Sequence, residues 1–321
     1  QIASLRGISL KFLRWNDDPR WAYLLVNLST LLWASNITLG RALRGQIGAL
    51  TLVAFRFTIA GLIFGIILSR QPPEARPLGS GWLGLLGMGM FGVFAFPALL
   101  YLALQRTTAT NAALINGTGP LITALMATLL LGEYFSPNRL IGTLISLLGV
   151  GLVISGPSLQ ILHSATVNSG DIIVLADVFL WGIYSILGRV VMRNRSALSA
   201  TAYSIWFAIP FLLVAAAFEW SHFPPHLTWS VILAGVYIAI FPTCVAFLSW
   251  NEGIRRVGPS RAMAFYNMLP VYGALLGFLF LGETPGWTHV AGGLLVIMGG
   301  LTALSQTRLS SLVENLVERL G

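Results

Sequence analysis

Ten times along the chain, a run of about twenty apolar residues is closed by a short polar or helix-breaking separator. The runs are 21–39, 49–69, 81–104, 109–131, 138–156, 171–189, 199–218, 230–250, 259–281 and 287–306. A helix rises ~1.5 Å per residue, so about 20 residues cross the ~30 Å hydrocarbon core of a bilayer. Within that core each backbone amide must be satisfied inside its own segment, which restricts such runs to helices. Separators such as Gln71-Pro72-Pro73-Glu74 and Ser221-His222-Phe223-Pro224-Pro225 hold no water-facing domain. The pattern predicts an all-α membrane protein of ten transmembrane helices. Composition agrees, because 9% charged residues in 321, against about 25% in soluble domains, cannot build a water-facing shell. A soluble enzyme is excluded.

The charges that remain report orientation. Taking alternate sides of ten spans, one side collects four basic residues in 1–20, Arg70 and Arg76, and Arg139. It also collects Arg189, Arg193 and Arg195, then Arg255, Arg256 and Arg261, and finally Arg308 and Arg319. The opposite side has only Arg41, Arg44 and Arg106, and Arg56 lies within the second run. The positive-inside rule then places both termini in the cytoplasm. The net charge of +8 does not point to nucleic acid, because the basic residues sit singly at run ends and form no stripe. Residues 1–20 lack the uninterrupted apolar core of a signal peptide and read as an interfacial amphipathic segment. The lone cysteine, Cys244, rules out an internal disulfide or a cysteine-based metal site.

The chain also repeats itself. A shift of 148 lays Leu32-Trp33 and Leu39-Gly40-Arg41 over Leu180-Trp181 and Leu187-Gly188-Arg189. A shift of 150 lays 106–149 over 256–299 without a gap. This second alignment pairs Arg106 with Arg256, Pro120 with Pro270 and Leu131-Gly132-Glu133 with Leu281-Gly282-Glu283, and Gly142 and Gly149 with Gly292 and Gly299. Shared hydrophobicity alone would not hold Trp, Arg, Pro and Glu in register. A duplication of five runs implies a first repeat over 21–156 and a second over 171–306. Flanking them are a cytoplasmic segment 1–20, an external linker 157–170 and a cytoplasmic tail 307–321. Five is odd, so the halves would cross the membrane in opposite senses, the hallmark of secondary transporters.

These segments resemble the EamA-type branch of the drug/metabolite transporter superfamily. The resemblance rests on the two Leu-Gly-Glu segments with their following glycines, and on Trp33 and Asn36 in the first run. It rests also on the segments Thr107–Ala112 and Val257–Ala262 leading to Pro120 and Pro270. It covers about 21–306 and extends to members that export aromatic amino acids. The resemblance implies a ten-helix basket with spans 1, 3, 4, 6, 8 and 9 around a central cavity and spans 5 and 10 peripheral.

Within spans 1 and 6, Ser29, Trp33, Asn36 and Gly40 share one helical face, as do Asp177, Trp181, Tyr184 and Gly188 at offset 148. Polar groups are costly against lipid, so these stripes are expected to face the interior or a wet cavity. There Trp33 and Trp181 would clamp an apolar or aromatic substrate while Asn36 and Tyr184 supply hydrogen bonds. The competing reading has the rings as packing and the glycines as close helix contacts. Spans 4 and 9 add Asn116-Pro120-Thr123 and Tyr266-Pro270-Gly273, with Asn116 and Tyr266 as cavity candidates. Pro120 and Pro270, and less regularly Pro97 and Pro242, are hinge candidates, since each proline removes an amide hydrogen and frees a carbonyl. Tyr101 and Trp250, late in spans 3 and 8, either line the cavity or are interfacial belt residues, and the belt reading is preferred. Glu133 and Glu283 read as structural caps.

Arg56 and Asp177 are the charges placed most clearly within spans, at similar depth, and are expected to neutralise each other. Alternatively, Arg56 binds a substrate carboxylate or is satisfied by carbonyls. No acid cluster sits at mid-membrane, which favours a facilitator or exchanger over proton-driven transport. No metal, cofactor or catalytic constellation is expected, because His163, His222 and His226 fall in separators and His289 near a run end. The small-residue faces of spans 5 and 10 are expected to pack within a monomer rather than across a dimer. The expected function is export of aromatic or neutral amino acids and related metabolites by alternating access, with efflux of drugs or metabolites such as purines as the alternative.

Overall fold

The computed structural model describes residues 19–43, 45–72, 81–104, 106, 115–116, 118–133, 136–155, 169–281 and 286–305. The N-terminal segment before 19, the linker over 156–168, the tail from 306, Glu283, His163 and the segment 107–112 lie outside the described residues, as do the side chains of Tyr101, Pro270 and His289.

The first half begins with α1 (Pro19–Ala42) and α2 (Ala49–Ser69). Next come α3 (Trp82–Met88) and α4 (Phe96–Leu104), joined by a π-helical segment, Gly89–Ala95, and then α5 (Gly119–Leu131) and α6 (Pro137–Ser155). In the second half α7 (Ser169–Val191) and α8 (Ala197–His222) are followed by α9 (Trp229–Ile238) and α10 (Ala246–Val257), joined by a π-helical segment, Ala239–Val245. The remaining elements are α11 (Pro259–Met263), a 3-10 turn Tyr266–Met268, α12 (Leu269–Leu281) and α13 (Trp287–Leu304). Among the described residues, seven helical stretches are long and apolar enough to cross a membrane. Three shorter apolar helices, Gly119–Leu131, Pro137–Leu152 and Val290–Ala303, lie where spans 4, 5 and 10 are expected. Leu129, Phe218, Leu233 and Phe280 are exposed on the outside of the assembly. So broad an apolar surface is stable only against lipid.

The two halves interleave. α1 packs on α10 and α12, and its counterpart α7 packs on α4 and α5. α2 lies along α8, and α6 along α13. The last pair meets through glycine. A side-chain carbon on Gly142 would fall 2.8 Å from the Ala303 Cα, and one on Gly149 would fall 2.7 Å from the Val296 nitrogen. Ser146 donates across the same seam to the Val296 carbonyl at 3.3 Å. Backbone against backbone is the arrangement small residues permit, and here both partners belong to one chain. Gly40 and Gly273, by contrast, have open space where a Cβ would stand, so neither marks a close helix contact.

The prolines do not act as interior hinges of regular helices. Pro120 lies in the first turn of α5, and Pro270 is the second residue of α12. A proline there costs no intrahelical hydrogen bond. The break in span 9 lies before Pro270, between α11 and the 3-10 turn. In span 8, Pro242 sits inside the π-helical segment. The carbonyl four residues earlier, at Ile238, accepts the buried Thr243 hydroxyl at 2.9 Å, which supplies a donor where the proline ring cannot. Pro97 is the second residue of α4, directly after the other π segment. Although Pro97 and Pro242 stand 145 residues apart, the two π segments start and end at an offset of 150. The backbone irregularity keeps the repeat register that the prolines lose.

Candidate functional site

Aromatic side chains from both halves close on one another at the centre. The Trp33 ring from α1 meets the Trp181 ring from α7 edge-on, 5.2 Å between centroids. Trp33 also lies 5.7 Å from Phe247, 5.2 Å from Trp250 and 6.1 Å from Tyr266. Trp181 stacks on Tyr184 at 4.9 Å and packs on Phe96 at 4.7 Å. Such edge-on and offset contacts suit the ring quadrupoles and add about 0.5–1.5 kcal/mol per pair beyond burial. The Trp33 indole donates to the Pro242 carbonyl at 3.0 Å, so an α1 ring is anchored on the π segment of the other half.

Four of the six cavity candidates therefore meet: Trp33, Trp181, Tyr184 and Tyr266. Asn36 and Asn116 are half-buried. α10 adds Phe247 and Asn251, which are not among the cavity candidates, and Trp250, for which the belt is preferred to the cavity. Their spacing of three and four residues puts them on one helical face, a signal present in the sequence. Trp250 corrects the belt reading, because it is fully buried between Trp33, Trp181 and Tyr266. Asn251 is likewise fully buried. Its Nδ2 donates to the Tyr184 hydroxyl and to the Thr201 hydroxyl, each at 2.8 Å. This amide joins α7, α8 and α10 beneath the rings.

The buried charges do not neutralise each other through a hydrogen bond. Arg56 places its guanidinium carbon 4.7 Å from the centre of the Phe57 ring, a cation–π contact. Asp177 is fully buried, and neither carboxylate oxygen accepts a hydrogen bond.

The ends of the helices are tied by side chains. Glu133 accepts from the Ser260 hydroxyl at 2.6 Å and faces Arg139 at 3.7 Å, in keeping with a capping role. Glu219 of α8 accepts from the Leu50 and Thr51 amides at 3.1 and 2.7 Å. It thereby covers the exposed amides at the start of α2, where the helix dipole favours negative charge. Arg189 donates to the carbonyls of Ile254 and Arg255 at the end of α10, which explains half of the repeated Leu-Gly-Arg segment. Among the described residues no group of three or more His, Cys, Asp or Glu side chains is placed to hold a metal ion.

A helical membrane protein built as a duplicated, interleaved bundle around a ring of aromatic residues matches one family twice. The model of the EamA-like transporter family matches residues 20–155 and again 168–305. The chain belongs to the EamA-like transporter family. It is similar to the uncharacterized transporter YyaM of Bacillus subtilis, 28% identical over 89% of this chain and 94% of that one. An uncharacterized transporter of Archaeoglobus fulgidus is also 28% identical, over 86% of this chain and 95% of its own. The probable terminal-alkyne amino-acid exporter of Streptantibioticus cattleyicolor is 26% identical over 87% of this chain and 91% of its own. A solved crystal structure superposes with a TM-score of 0.72 at 23% identity, covering 88% of this chain and 96% of that one, and shares the fold.

Proposed function

We propose that this transporter exports aromatic and other neutral amino acids, with related metabolites, across the bacterial inner membrane by alternating access. Ten spans in two oppositely oriented halves, with both termini cytoplasmic, would carry the cycle. The observation behind this reading is the ring cluster. Trp33 and Trp181 occupy equivalent places in the two halves and meet at the centre, so opening the centre to either side must part them. The space they would open is walled by Phe247, Trp250 and Tyr266, suited to a flat or apolar side chain. The named likeness to an amino-acid exporter supports the same substrate class. With no acid cluster among the described residues, exchange between two occupants of one site fits better than a relay of acids. Efflux of other flat metabolites, purines included, is the second reading, favoured by how few polar groups accompany the rings.

Counterflow in liposomes decides between them. Vesicles containing purified protein and loaded with unlabelled phenylalanine are expected to accumulate labelled phenylalanine transiently. No accumulation of any amino acid above empty liposomes, with a labelled purine accumulating, would replace the first reading by the second.

A further inference from the structure

Equivalent positions of the two halves carry Ser29 and Asp177, 148 residues apart. Both side chains are fully buried. Ser29 is satisfied, since its hydroxyl lies 2.9 Å from the carbonyls of Leu25 and Ala246. The duplicate position bears a carboxyl group whose two oxygens have no partner. A bare carboxylate in an apolar interior costs several kcal/mol, so such a group holds a proton or meets a cation.

Among the described residues, no basic side chain gives Asp177 a hydrogen bond. α3, α4, α5 and the first π segment carry no Lys, Arg, His, Asp or Glu, and Tyr101 is their one titratable residue. α7 itself adds Asp171, Tyr184 and Arg189, and the last of these is engaged at the end of α10. On α10, Arg255 and Arg256 pair with Glu252 at 2.8 and 2.5 Å. Arg261 lies on α11, and Tyr266 is within electrostatic reach of Asp177. Arg56 gives Asp177 no hydrogen bond.

Two donors stand equally unpartnered in the same cluster. Trp181, one helical turn from Asp177, and Trp250 both have indole N–H groups buried without an acceptor, and their rings lie 5.6 Å apart. Orphaned buried polar groups are rare and call for a partner, which the described residues do not provide. One acid and two N–H donors among aromatic faces complement an ammonium and a carboxylate borne by one small molecule, and the faces themselves attract a cation.

We propose that Asp177 receives the ammonium of an α-amino acid while the indole N–H groups of Trp181 and Trp250 receive its carboxylate, and that a proton occupies Asp177 whenever the substrate is absent. The proposal rests on the amino-acid reading above and deepens it. Arrival of the ammonium displaces the carboxyl proton to water, and departure of the substrate takes one proton back. One amino acid is exchanged for one proton per cycle, which departs from the expectation of transport without proton coupling.

Binding of three probes to the purified full-length protein tests this: L-phenylalanine, phenethylamine (ammonium only) and 3-phenylpropionate (carboxylate only). Phenethylamine is expected to bind and 3-phenylpropionate not. Because the proton competes for Asp177, affinity falls about tenfold per pH unit as pH drops below the carboxyl pKa and is flat above it. In weakly buffered solution, binding in the lower range releases one proton per phenethylamine. Asp177→Asn should weaken both amines at least tenfold and abolish the pH dependence. Trp250→Phe, which keeps an aromatic ring but loses the indole N–H, should weaken phenylalanine several-fold more than it weakens phenethylamine. Proton release needs no variant, so the test survives a failure of Asp177→Asn to fold. Absence of proton release at any pH between about 5 and 9, or unchanged amine affinity in folded Asp177→Asn, overturns the proposal. Equal losses for both amines in Trp250→Phe overturn its carboxylate half. Phenylalanine counterflow that persists while these signals are absent sinks this inference alone. Amine binding with proton release but no amino-acid counterflow sinks the amino-acid reading instead.

Discussion

Glu133 accepts a 2.6 Å hydrogen bond from the Ser260 hydroxyl, and this contact ties the end of α5 in the first half to the first turn of α11 in the second. The approach depends on Gly258, whose φ of +83° suits glycine and where a Cβ would stand 2.8 Å from the Glu133 carboxylate. Any motion that separates α5 from α11 must break a charge-assisted bond worth about 1.5–3 kcal/mol. Ser260→Ala is therefore expected to shift the balance between the two access states by roughly tenfold or more. Half-saturation constants measured from each side of oriented vesicles report it, and an unchanged ratio would show that the contact does not gate.

Asn251 serves two hydroxyls at once, so its loss is expected to cost more than that of either partner. Asn251→Leu strands the buried Tyr184 hydroxyl, at about 1–3 kcal/mol for the unsatisfied group, and also removes the bond to the Thr201 hydroxyl, which keeps its own bond to the Ala197 carbonyl. Tyr184→Phe removes a hydroxyl and leaves the amide its Thr201 bond, so it should cost less. Thermal unfolding of the purified variants gives the order, and a Tyr184→Phe variant less stable than Asn251→Leu would contradict it.

Trp33→Phe keeps a ring in the cluster but loses the hydrogen bond to Pro242. It is expected to lower stability by about 1 kcal/mol while transport persists. Trp33→Ala also empties the ring volume, a change that costs about 3–5 kcal/mol in a packed core. A thermal series of the two variants checks the gap between them. Equal melting points would mean that the ring is not packed as described.

At the α6–α13 seam, Gly149→Val is expected to be far more damaging than Gly40→Val. The first places carbon within 2.9 Å of Val296 N and Leu295 Cβ, and the second meets nothing within 4 Å. Overpacking of this kind costs about 1–3 kcal/mol or more. The yield of monodisperse protein after solubilisation separates the two variants, and equal yields would refute the packing.

The helical class, the apolar runs and the duplication were legible because each is a property of sequence order. The stripe of Ser29, Trp33, Asp177 and Trp181 was legible too, because polar and aromatic residues at helical spacing stand out against lipid-compatible neighbours. What lay beyond reach was decided by contact. In a chain apolar on both its inner and outer faces, periodicity does not tell interior from lipid, so Trp250 read as a belt residue although it is fully buried. A proline announces a freed carbonyl but not the group that answers it, and Thr243 answering for Pro242 had no sequence signal. Charge matching by depth paired Arg56 with Asp177, but depth says nothing of which side of a helix faces which neighbour.

The two π-helical segments, Gly89–Ala95 and Ala239–Val245, share one residue in seven, the phenylalanines at 91 and 241. Their backbones nevertheless depart from α-helix over the same interval of each half. The shape of this interval is thus not dictated by one particular set of side chains. Two different seven-residue strings hold the same irregular backbone at the same place in each half, so substitutions there can change the surface the segment presents without straightening it.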